Sequence, residues 1–226
     1  RKDPTFAVEV RSMNSLNGMV GIVNGALQSG ETGDAIAGLL RERGATIVTA
    51  DADDGDVQVD ITDAAEITSC VSEVVARLGR LDILVNSACA SIESSTFLEQ
   101  TGTDFDKAFD INVRGMMLFS QAAIPYMRSC GGGCIVNIAS ISGLKATSSV
   151  PPVAIASRFA AVGMSKAMAQ EFGTYNIRCN AVCPGLVRTP TQDTALVELA
   201  ESEGVDRSDI VDAQHAKIPL GRSGEP

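Results

Sequence analysis

The stretch MVGIVNGALQSGETGDA, residues 19–35, decides the fold of this chain. Residues 19–23 have the length and apolar character of a short buried strand, and a turn with three glycines follows. A helical pattern then runs from residue 32 to about residue 43, and Gly44 stands where a helix is expected to end. A strand, a glycine-rich turn and a helix in this order are typical of a site where backbone amides at a helix N-terminus meet a phosphate.

Strands and helices are predicted to alternate along the rest of the chain. Further strands are expected at residues 45–50, 57–59, 81–85, 133–139 and 176–182, with helices at residues 63–78, about 103–128 and 152–172. The helix at 152–172 is apolar almost all round, which predicts burial on more than one face. Because such alternation gives a parallel sheet covered on both faces, we predict a single-domain α/β fold: a Rossmann-type doubly wound parallel sheet in three layers.

The composition restricts the classes of function. The 226 residues suit one domain, and 45% of them are hydrophobic while 20% are charged. The formal net charge is −10. An acidic surface does not attract nucleic acid or anionic lipid, so neither is expected as a partner, and no apolar run reaches membrane-spanning length. The polar stretch 191–217 is expected to form a helical lid over the site.

The cysteines and the N-terminus bear on compartment and processing. Six cysteines contain no C-x-x-C pair, and the chain has one histidine, so no metal site is predicted. Reduced thiols, together with residues 1–12 that contain no apolar signal segment, favour a cytoplasmic location. Residues 1–15 are interpreted as an N-terminal extension. If Met13 is the natural start, the residues before it are a remnant of the expression vector.

Short polar motifs lie at or after the ends of the predicted strands, and one lies in the predicted helix at 103–128. They are Gly25 with Gly30 and Gly33, Asp51, Asp60-Ile61-Thr62-Asp63, Asn86-Ser87-Ala88, Asn112-Val113-Arg114-Gly115, Asn137-Ile138-Ala139-Ser140, and Asn180-Ala181-Val182-Cys183-Pro184-Gly185 with Thr189. In this order and spacing the motifs resemble those of the short-chain dehydrogenase/reductase family, over essentially the whole chain from Leu16 onward. The chain ends at residues 221–226, where family members continue into a last helix and strand, so a C-terminal segment is expected to be missing.

The resemblance implies an NAD site. The three glycines would let backbone amides approach the pyrophosphate, Asp60 and Ile61 would contact adenine, and Asn86 and Thr189 would complete the cofactor contacts. Asp51 ends the second strand, where a carboxylate accepts hydrogen bonds from the ribose hydroxyls and repels a 2′-phosphate. It therefore favours NAD over NADP.

The resemblance also implies a catalytic group, and part of that group is missing. Ser140 stands at the catalytic serine, and Asn112 stands where an asparagine holds a relay water; alternatively, both are structural. Active members use a tyrosine as general acid/base and a lysine one turn later that lowers its pKa. The sequence predicts that Ile155 and Phe159 occupy these two positions. Arg158 is then one residue, about 100°, out of register.

The predicted phosphate loop departs from the family as well. Gly25 and Gly33 are eight residues apart, farther than in the family, and Glu31 and Asp34 lie at the loop–helix junction. Carboxylates there would compete with a pyrophosphate for the helix N-terminal amides and repel it. Cys89 stands where the family has a glycine that gives the cofactor room. We therefore do not expect this chain to bind NAD itself. NAD would instead bind to an active, homologous sister subunit.

Three hypotheses follow. The first is a non-catalytic subunit of a hetero-oligomeric NAD-dependent alcohol or hydroxyacyl-CoA dehydrogenase, similar to the (hydroxybenzyl)succinyl-CoA type. It would assemble with an active, homologous subunit through the helices at 103–128 and 152–172. The second is an NAD-dependent oxidoreductase with an unconventional proton donor. The third is a non-redox lyase or cyclase that works in an apolar pocket lined by Ile155 and Phe159.

Overall fold

The fold is seen in a computed structural model that describes residues 15–26, 30–53, 55–92, 96–147 and 150–226. The interpreted N-terminal extension, residues 1–15, lies outside these ranges except for Ser15. The strands are β1 (Val20–Asn24), β2 (Thr46–Asp51), β3 (Val57–Gln58), β4 (Ile83–Asn86), β5 (Gly133–Ile138) and β6 (Ile177–Val182). The helices are α1 (Thr32–Glu42), α2 (Ala64–Leu78), α3 (Gly102–Phe109), α4 (Met116–Ser129), α5 (Pro152–Phe172), α6 (Pro190–Glu203) and α7 (Arg207–His215).

The six strands form one parallel sheet in the order β3-β2-β1-β4-β5-β6. This is the order of the dinucleotide-binding doubly wound fold, so the predicted fold class is confirmed. Apolar side chains pack on both faces of the sheet. Phe119 and Ile67 belong to the core on the side of α2, α4 and α5, and Ala37 of α1 packs with Val23 and Val85 on the other. These two buried clusters separate three layers.

The predicted long helix at residues 103–128 is interrupted. Helix α3 begins after Thr101, whose hydroxyl accepts from the amide of Asp104 at 3.2 Å while the Asp104 carboxylate accepts from the Thr101 amide at 2.8 Å. A π-helical turn, Asp110–Gly115, then separates α3 from α4. The chain stays helical through such a turn, so the sequence predicted one helix.

Helix α5 has the bounds that were predicted, but one of its faces is exposed. The inward face carries small residues, and Ala154, Ser157, Ala161 and Ser165 are buried at helical spacing. Phe159 lies on the opposite side, and 45% of it is exposed. The helix packs on β6 and also on α3 and the π-helical turn, as the predicted burial on more than one face requires, but the face around Phe159 is exposed in this chain. Among the described residues, no helix is both long enough and apolar enough to cross a membrane.

Candidate active site

A cavity of about 440 Å³ lies between the carboxyl ends of β1, β4 and β5 and the start of α6. In a doubly wound sheet, ligands bind where the strand order reverses, which here is between β1 and β4. Four of the predicted site residues line the cavity: Gly25, Gly33, Ser140 and Thr189. Other side chains around it include those of Glu31, Ser87, Cys89, Arg158 and Thr191.

Two glycines allow the close approach of backbone at the base of this cavity. A Cβ on Gly25 would lie 2.2 Å from the Ala88 nitrogen, and the residue has a φ of 69°, which favours glycine. A Cβ on Gly33 would lie 2.3 Å from the carbonyl oxygen of Gly25. Both positions therefore require glycine for packing of β1 against α1 and the β4 turn, whether or not a cofactor binds.

Two carboxylates near the N-terminus of α1 accept hydrogen bonds from backbone amides. An Oδ of Asp34 accepts from the amide of Gly30 at 3.0 Å. Glu31 reaches across to α6, where its carboxylate accepts from the Thr191 amide at 2.8 Å. The Asp34 contact resembles the one that the sequence predicted, whereas Glu31 engages an amide of α6. Competition with a pyrophosphate stays a prediction. Thr189 caps α6, and its hydroxyl accepts from the amide of Gln192 at 3.2 Å.

The residues predicted at the adenosine end lie outside the cavity. Asp51 is buried at the end of β2, and its carboxylate accepts from the Asp53 amide at 3.2 Å. The Thr62 amide and hydroxyl donate to Asp60 at 2.8 and 2.7 Å, and they hold the pKa of Asp60 below its usual range. Ile61 packs on the π-helical turn, because a Cβ on Gly115 would lie 2.4 Å from it. Their cofactor contacts remain predictions.

Asn86 lies in a buried chain of hydrogen bonds beneath the cavity. Its Nδ2 donates to the Asn137 Oδ1 at 2.7 Å, and its own Oδ1 accepts from the Asn24 Nδ2 at 2.6 Å. Asn137 donates in turn to the hydroxyl of Ser165 on α5 at 2.8 Å. The three asparagines lie in matched register on three neighbouring strands, at or next to the strand ends. The side-chain amide of Asn86 thus links strands, and the predicted part of Asn86 in cofactor binding stays a prediction.

Asn112 ties the π-helical turn to two neighbouring elements. Its Oδ1 accepts from the amide of Ala90, after β4, at 2.7 Å. Its Nδ2 donates to the Ser157 hydroxyl on α5 at 2.9 Å. The side chain is buried and does not line the cavity, so its amide is already used by the fold. The structural alternative for Asn112, which ties a helix bend to backbone, is therefore the one that its contacts support.

Arg158 and the polar side chains that it contacts form the end of the cavity nearest α5. The hydroxyl of Ser140 accepts from the Ser142 amide at 3.2 Å and lies 3.0 Å from the Ser142 hydroxyl. Arg158 donates from Nη1 to the Ser142 Oγ at 2.9 Å and from Nη2 to the Cys89 Sγ at 3.3 Å. The predicted catalytic serine is thus linked, through a second hydroxyl, to a guanidinium.

The position of Arg158 corrects the predicted register of α5. The cavity is lined by Arg158, whereas Phe159 faces away and is largely exposed. The residue four positions before Arg158 is Ala154, which is buried. If the lysine position is the one that faces Ser140, then Arg158 occupies it and Ala154 occupies the tyrosine position. In this register Ile155 and Phe159 do not occupy the Tyr and Lys positions, and neither of them lines this cavity.

A signal for this register was present in the sequence. At about 100° per residue, Ala154, Ser157, Ala161 and Ser165 fall on one side of a helix. Arg158 borders that side, and Phe159 lies almost opposite it. The small residues mark the face that packs closely on the sheet, so they identify the inward side better than hydrophobicity does.

Comparisons with known proteins connect this chain to a family of reductases and dehydrogenases. A family model described as enoyl-(acyl carrier protein) reductase matches residues 25–226. The 3-oxoacyl-(acyl-carrier-protein) reductase of Thermotoga maritima is 30% identical over 93% of this chain and 87% of its own length. A 3alpha-hydroxysteroid dehydrogenase of Mediterraneibacter gnavus is 37% identical over 74% of this chain, but the match spans only 61% of that protein.

Solved structures have the same fold. A short-chain dehydrogenase/reductase from Burkholderia xenovorans superposes with a TM-score of 0.85 at 30% identity, over 93% of this chain and 86% of the other. The aldohexose dehydrogenase of Thermoplasma acidophilum, in ligand-free form, superposes with a TM-score of 0.83 at 25% identity, over 92% and 82%. This chain therefore belongs to the short-chain dehydrogenase/reductase family, a family of oxidoreductases that generally use NAD or NADP.

Proposed function

We propose that this chain is the non-catalytic subunit of a hetero-oligomeric dehydrogenase of its family, which acts on an alcohol or hydroxyacyl-CoA. The observation that carries the proposal is the residue beside Arg158 on the inward face of α5: a methyl group, on Ala154, where active members have a phenol. Arginine keeps its proton in proteins, so Arg158 cannot replace that acid/base. The active sister subunit would bind NAD and transfer the proton.

The tyrosines of the chain support the proposal, because both lie elsewhere. Tyr126 packs at the edge of the main core, near the end of α4. Tyr175 lies beyond the end of α5, and the guanidinium of Arg128 stacks 3.8 Å from the centre of its ring. Neither side chain lines the cavity. In the described part of the chain, therefore, no phenol is available to the bound carbonyl or alcohol of a substrate.

The carboxylates at the entrance to α1 support weak cofactor binding. Asp34 holds the amide of Gly30, and Glu31 adds a second negative charge at the same helix N-terminus. A pyrophosphate would have to displace the Asp34 carboxylate from this amide and lie close to the negative charge of Glu31. The proposal therefore places NAD in the active sister subunit rather than in this chain. A cytoplasmic location is also part of the proposal, supported by six free cysteines.

The exposed face of α5 supports assembly with a homologous subunit. Phe159 is 45% exposed there, and it is flanked by the exposed small residues Ala156 and Gly163. Small residues let two helices approach closely, and an aromatic side chain is a common centre of an interface. A helix of this kind suits pairing with the equivalent helix of a related chain.

The proposal is tested by an assay of the chain alone and with a partner. The isolated chain should neither bind NADH saturably in a fluorescence titration nor oxidise it with carbonyl substrates. An intact family member encoded beside it, with tyrosine and lysine in place, should co-purify with it and be active in the complex. NADH oxidation by the isolated chain that Ser140→Ala abolishes would contradict the proposal.

One contact favours a second candidate, an oxidoreductase with an unconventional proton donor. The Cys89 thiol lies 3.3 Å from the Arg158 guanidinium, in the cavity that also contains Ser140. A thiol can give up and take back a proton, which a guanidinium cannot do. NADH oxidation that is lost in Cys89→Ala and kept in Cys130→Ala would favour this candidate. Absence of turnover in the wild-type chain would exclude it.

A further inference from the structure

The charge of Arg158 is not balanced within the part of the chain that the structure describes. Five ion pairs occur among those residues, and none of them includes Arg158. Its two partners, the Ser142 hydroxyl and the Cys89 thiol, are hydrogen-bonding groups without a full charge in their neutral forms. A partly buried cation is costly unless an anion pairs with it.

The Arg158 guanidinium also has one N–H donor that makes no hydrogen bond within the described structure. Its Nε is buried and has no partner within the described structure. A guanidinium presents five N–H donors in a planar fork that matches a carboxylate. Two of its nitrogens are engaged by neutral groups at 2.9 and 3.3 Å, and an anion in the cavity could replace the weaker of these contacts.

We propose that the Arg158 end of the cavity binds the carboxylate of a small oxo- or hydroxycarboxylate. Ser140 would hold the neighbouring carbonyl or hydroxyl oxygen. The three groups form a continuous line, with 2.9 Å from the guanidinium to the Ser142 Oγ and 3.0 Å from there to the Ser140 Oγ. The Ser140 hydroxyl is therefore two hydrogen-bond lengths from the guanidinium. This separation suits a ligand whose carbonyl or hydroxyl oxygen is two or three carbons away from its carboxylate. The inference goes beyond the proposed function, because binding needs no proton transfer and no cofactor.

The other end of the cavity explains why a small carboxylate is favoured over a dinucleotide. Glu31 lines that end and brings a negative charge beside the glycine turn, with Asp34 on the amide of Gly30. A dinucleotide must place its pyrophosphate there. A small carboxylate can instead occupy the Arg158 end alone and stay away from both acids.

The test is a calorimetric titration of the purified chain without dinucleotide. The probes are 3-hydroxybutyrate and 2-oxobutyrate, with butan-2-ol and butanone as neutral analogues of similar size and inorganic phosphate as a second anion. The carboxylates should bind at least about tenfold more tightly than the neutral analogues, since tenfold corresponds to about 1.4 kcal/mol. Equal affinity for acid and neutral analogue would overturn the proposal, and so would phosphate binding as tight as that of the carboxylates.

Variants assign the binding to named groups. Arg158→Gln should remove the preference for the acids, and Arg158→Lys should keep part of it. Arg188→Gln removes the same charge from an exposed residue outside this cavity, so it should change nothing. Ser140→Ala should lower the affinity for 3-hydroxybutyrate but not for butyrate. A preference unchanged in Arg158→Gln would contradict the assignment. If that variant does not fold, the comparison of acids with neutral analogues in the wild-type chain still decides.

Discussion

Arg158 and Ala154 together limit what the cavity can do. A guanidinium is a permanent cation, so it can orient an anion or polarise a neighbouring hydroxyl but cannot exchange protons at any ordinary pH. The alanine methyl beside it offers no polar atom. Ser140 is linked to that cation through Ser142: the Ser140 Oγ lies 3.0 Å from the Ser142 Oγ, which accepts from Arg158. These residues therefore suit recognition of a charged ligand better than transfer of a proton to it.

The first prediction concerns the two acids at the start of α1. Glu31→Gln with Asp34→Asn should increase the affinity for NADH by about tenfold, because each charge near a phosphate costs on the order of 1 kcal/mol at 4 Å even in water. NADH fluorescence titration measures the change. Glu198→Gln with Glu201→Gln removes the same charge from exposed positions of α6 and serves as the control. Equal affinity in the two double variants would show that the acids do not oppose the cofactor.

Residue positions on a helix were the hardest feature to predict from the sequence. The chain shows an apolar helix at 152–172, and Ile155 and Phe159 looked like a continuous apolar replacement of the missing pair. Their side chains do share a stripe, but packing of α5 on β6 is determined by small residues such as Ala161. Close approach of helix and sheet selects small side chains, so hydrophobicity alone pointed to the wrong side. Motif order predicted Ser140 and Thr189 in the cavity correctly, because the ends of parallel strands meet at one edge.

At the scale of elements, the π-helical turn depends on Asn112. Its side chain satisfies the buried amide of Ala90 and contacts Ser157 on α5. Asn112→Ala should therefore lower the free energy of unfolding by about 1–3 kcal/mol, the cost of an unsatisfied buried group. Urea denaturation measures it. Asn180→Ala, at an exposed position of β6, should cost under about 0.5 kcal/mol. A similar loss in both variants would mean that the turn is held by other contacts.

The starts of three strands depend on Asp82. Its carboxylate accepts from the Val20 amide at 2.9 Å and from Arg80 Nη2 at 2.7 Å, and its carbonyl accepts from the Cys134 amide at 2.8 Å. Burial opposes the charged form of Asp82. Nevertheless, the hydrogen bonds from Arg80 and Val20 and the charge of Arg80 outweigh it and lower the pKa of Asp82 below its usual range.

The second element-scale prediction is the pH dependence that follows. Because the folded pKa of Asp82 is depressed, its stabilisation is present above the unfolded pKa of about 4 and is lost as the pH falls through the folded value. Asp82→Asn should be less stable than wild type at pH 7 by about 1 kcal/mol, and the difference should shrink towards about pH 2. Urea unfolding at several pH values measures this. Asp106→Asn, on an exposed position of α3, should leave the acid limb of the curve unchanged.

The strands and most helices were predictable because each carries a local pattern of its own. The four-residue β4 and five-residue β1 are fully buried and apolar up to their final asparagines, and Gly44 and Gly79 have the positive φ of helix ends. The π-helical turn at residues 110–115 was not predictable, because a local apolar pattern does not distinguish one π-helical turn from a continuous α-helix. It is specified by long-range contacts of Asn112 and Gly115, which a local pattern does not contain.

On the scale of the whole molecule, the doubly wound sheet leaves one side of α5 uncovered. The sheet side of the helix packs through small residues on β5 and β6, so the opposite side has no partner within the described chain apart from the elements at its ends. Phe159 is 45% exposed there, between turns that present Ala156 and Gly163. In a symmetric assembly the same surface on two related chains can pair about a two-fold axis, and a helix with small residues allows the axes to come close.

The last prediction is that this face mediates assembly. If the proposed assembly with a homologous subunit forms through this face, Phe159→Glu should prevent it, because a charge buried in an apolar helix pair is left without a partner. Sedimentation velocity measures the mass, and urea unfolding at low concentration should show that the isolated fold loses under about 0.5 kcal/mol, as expected of an exposed site. Leu220→Glu places the same charge on a side chain that is 77% exposed elsewhere, and it should leave the mass unchanged. If Phe159→Glu sediments with the same mass as a wild-type assembly, the proposed role of this face is contradicted.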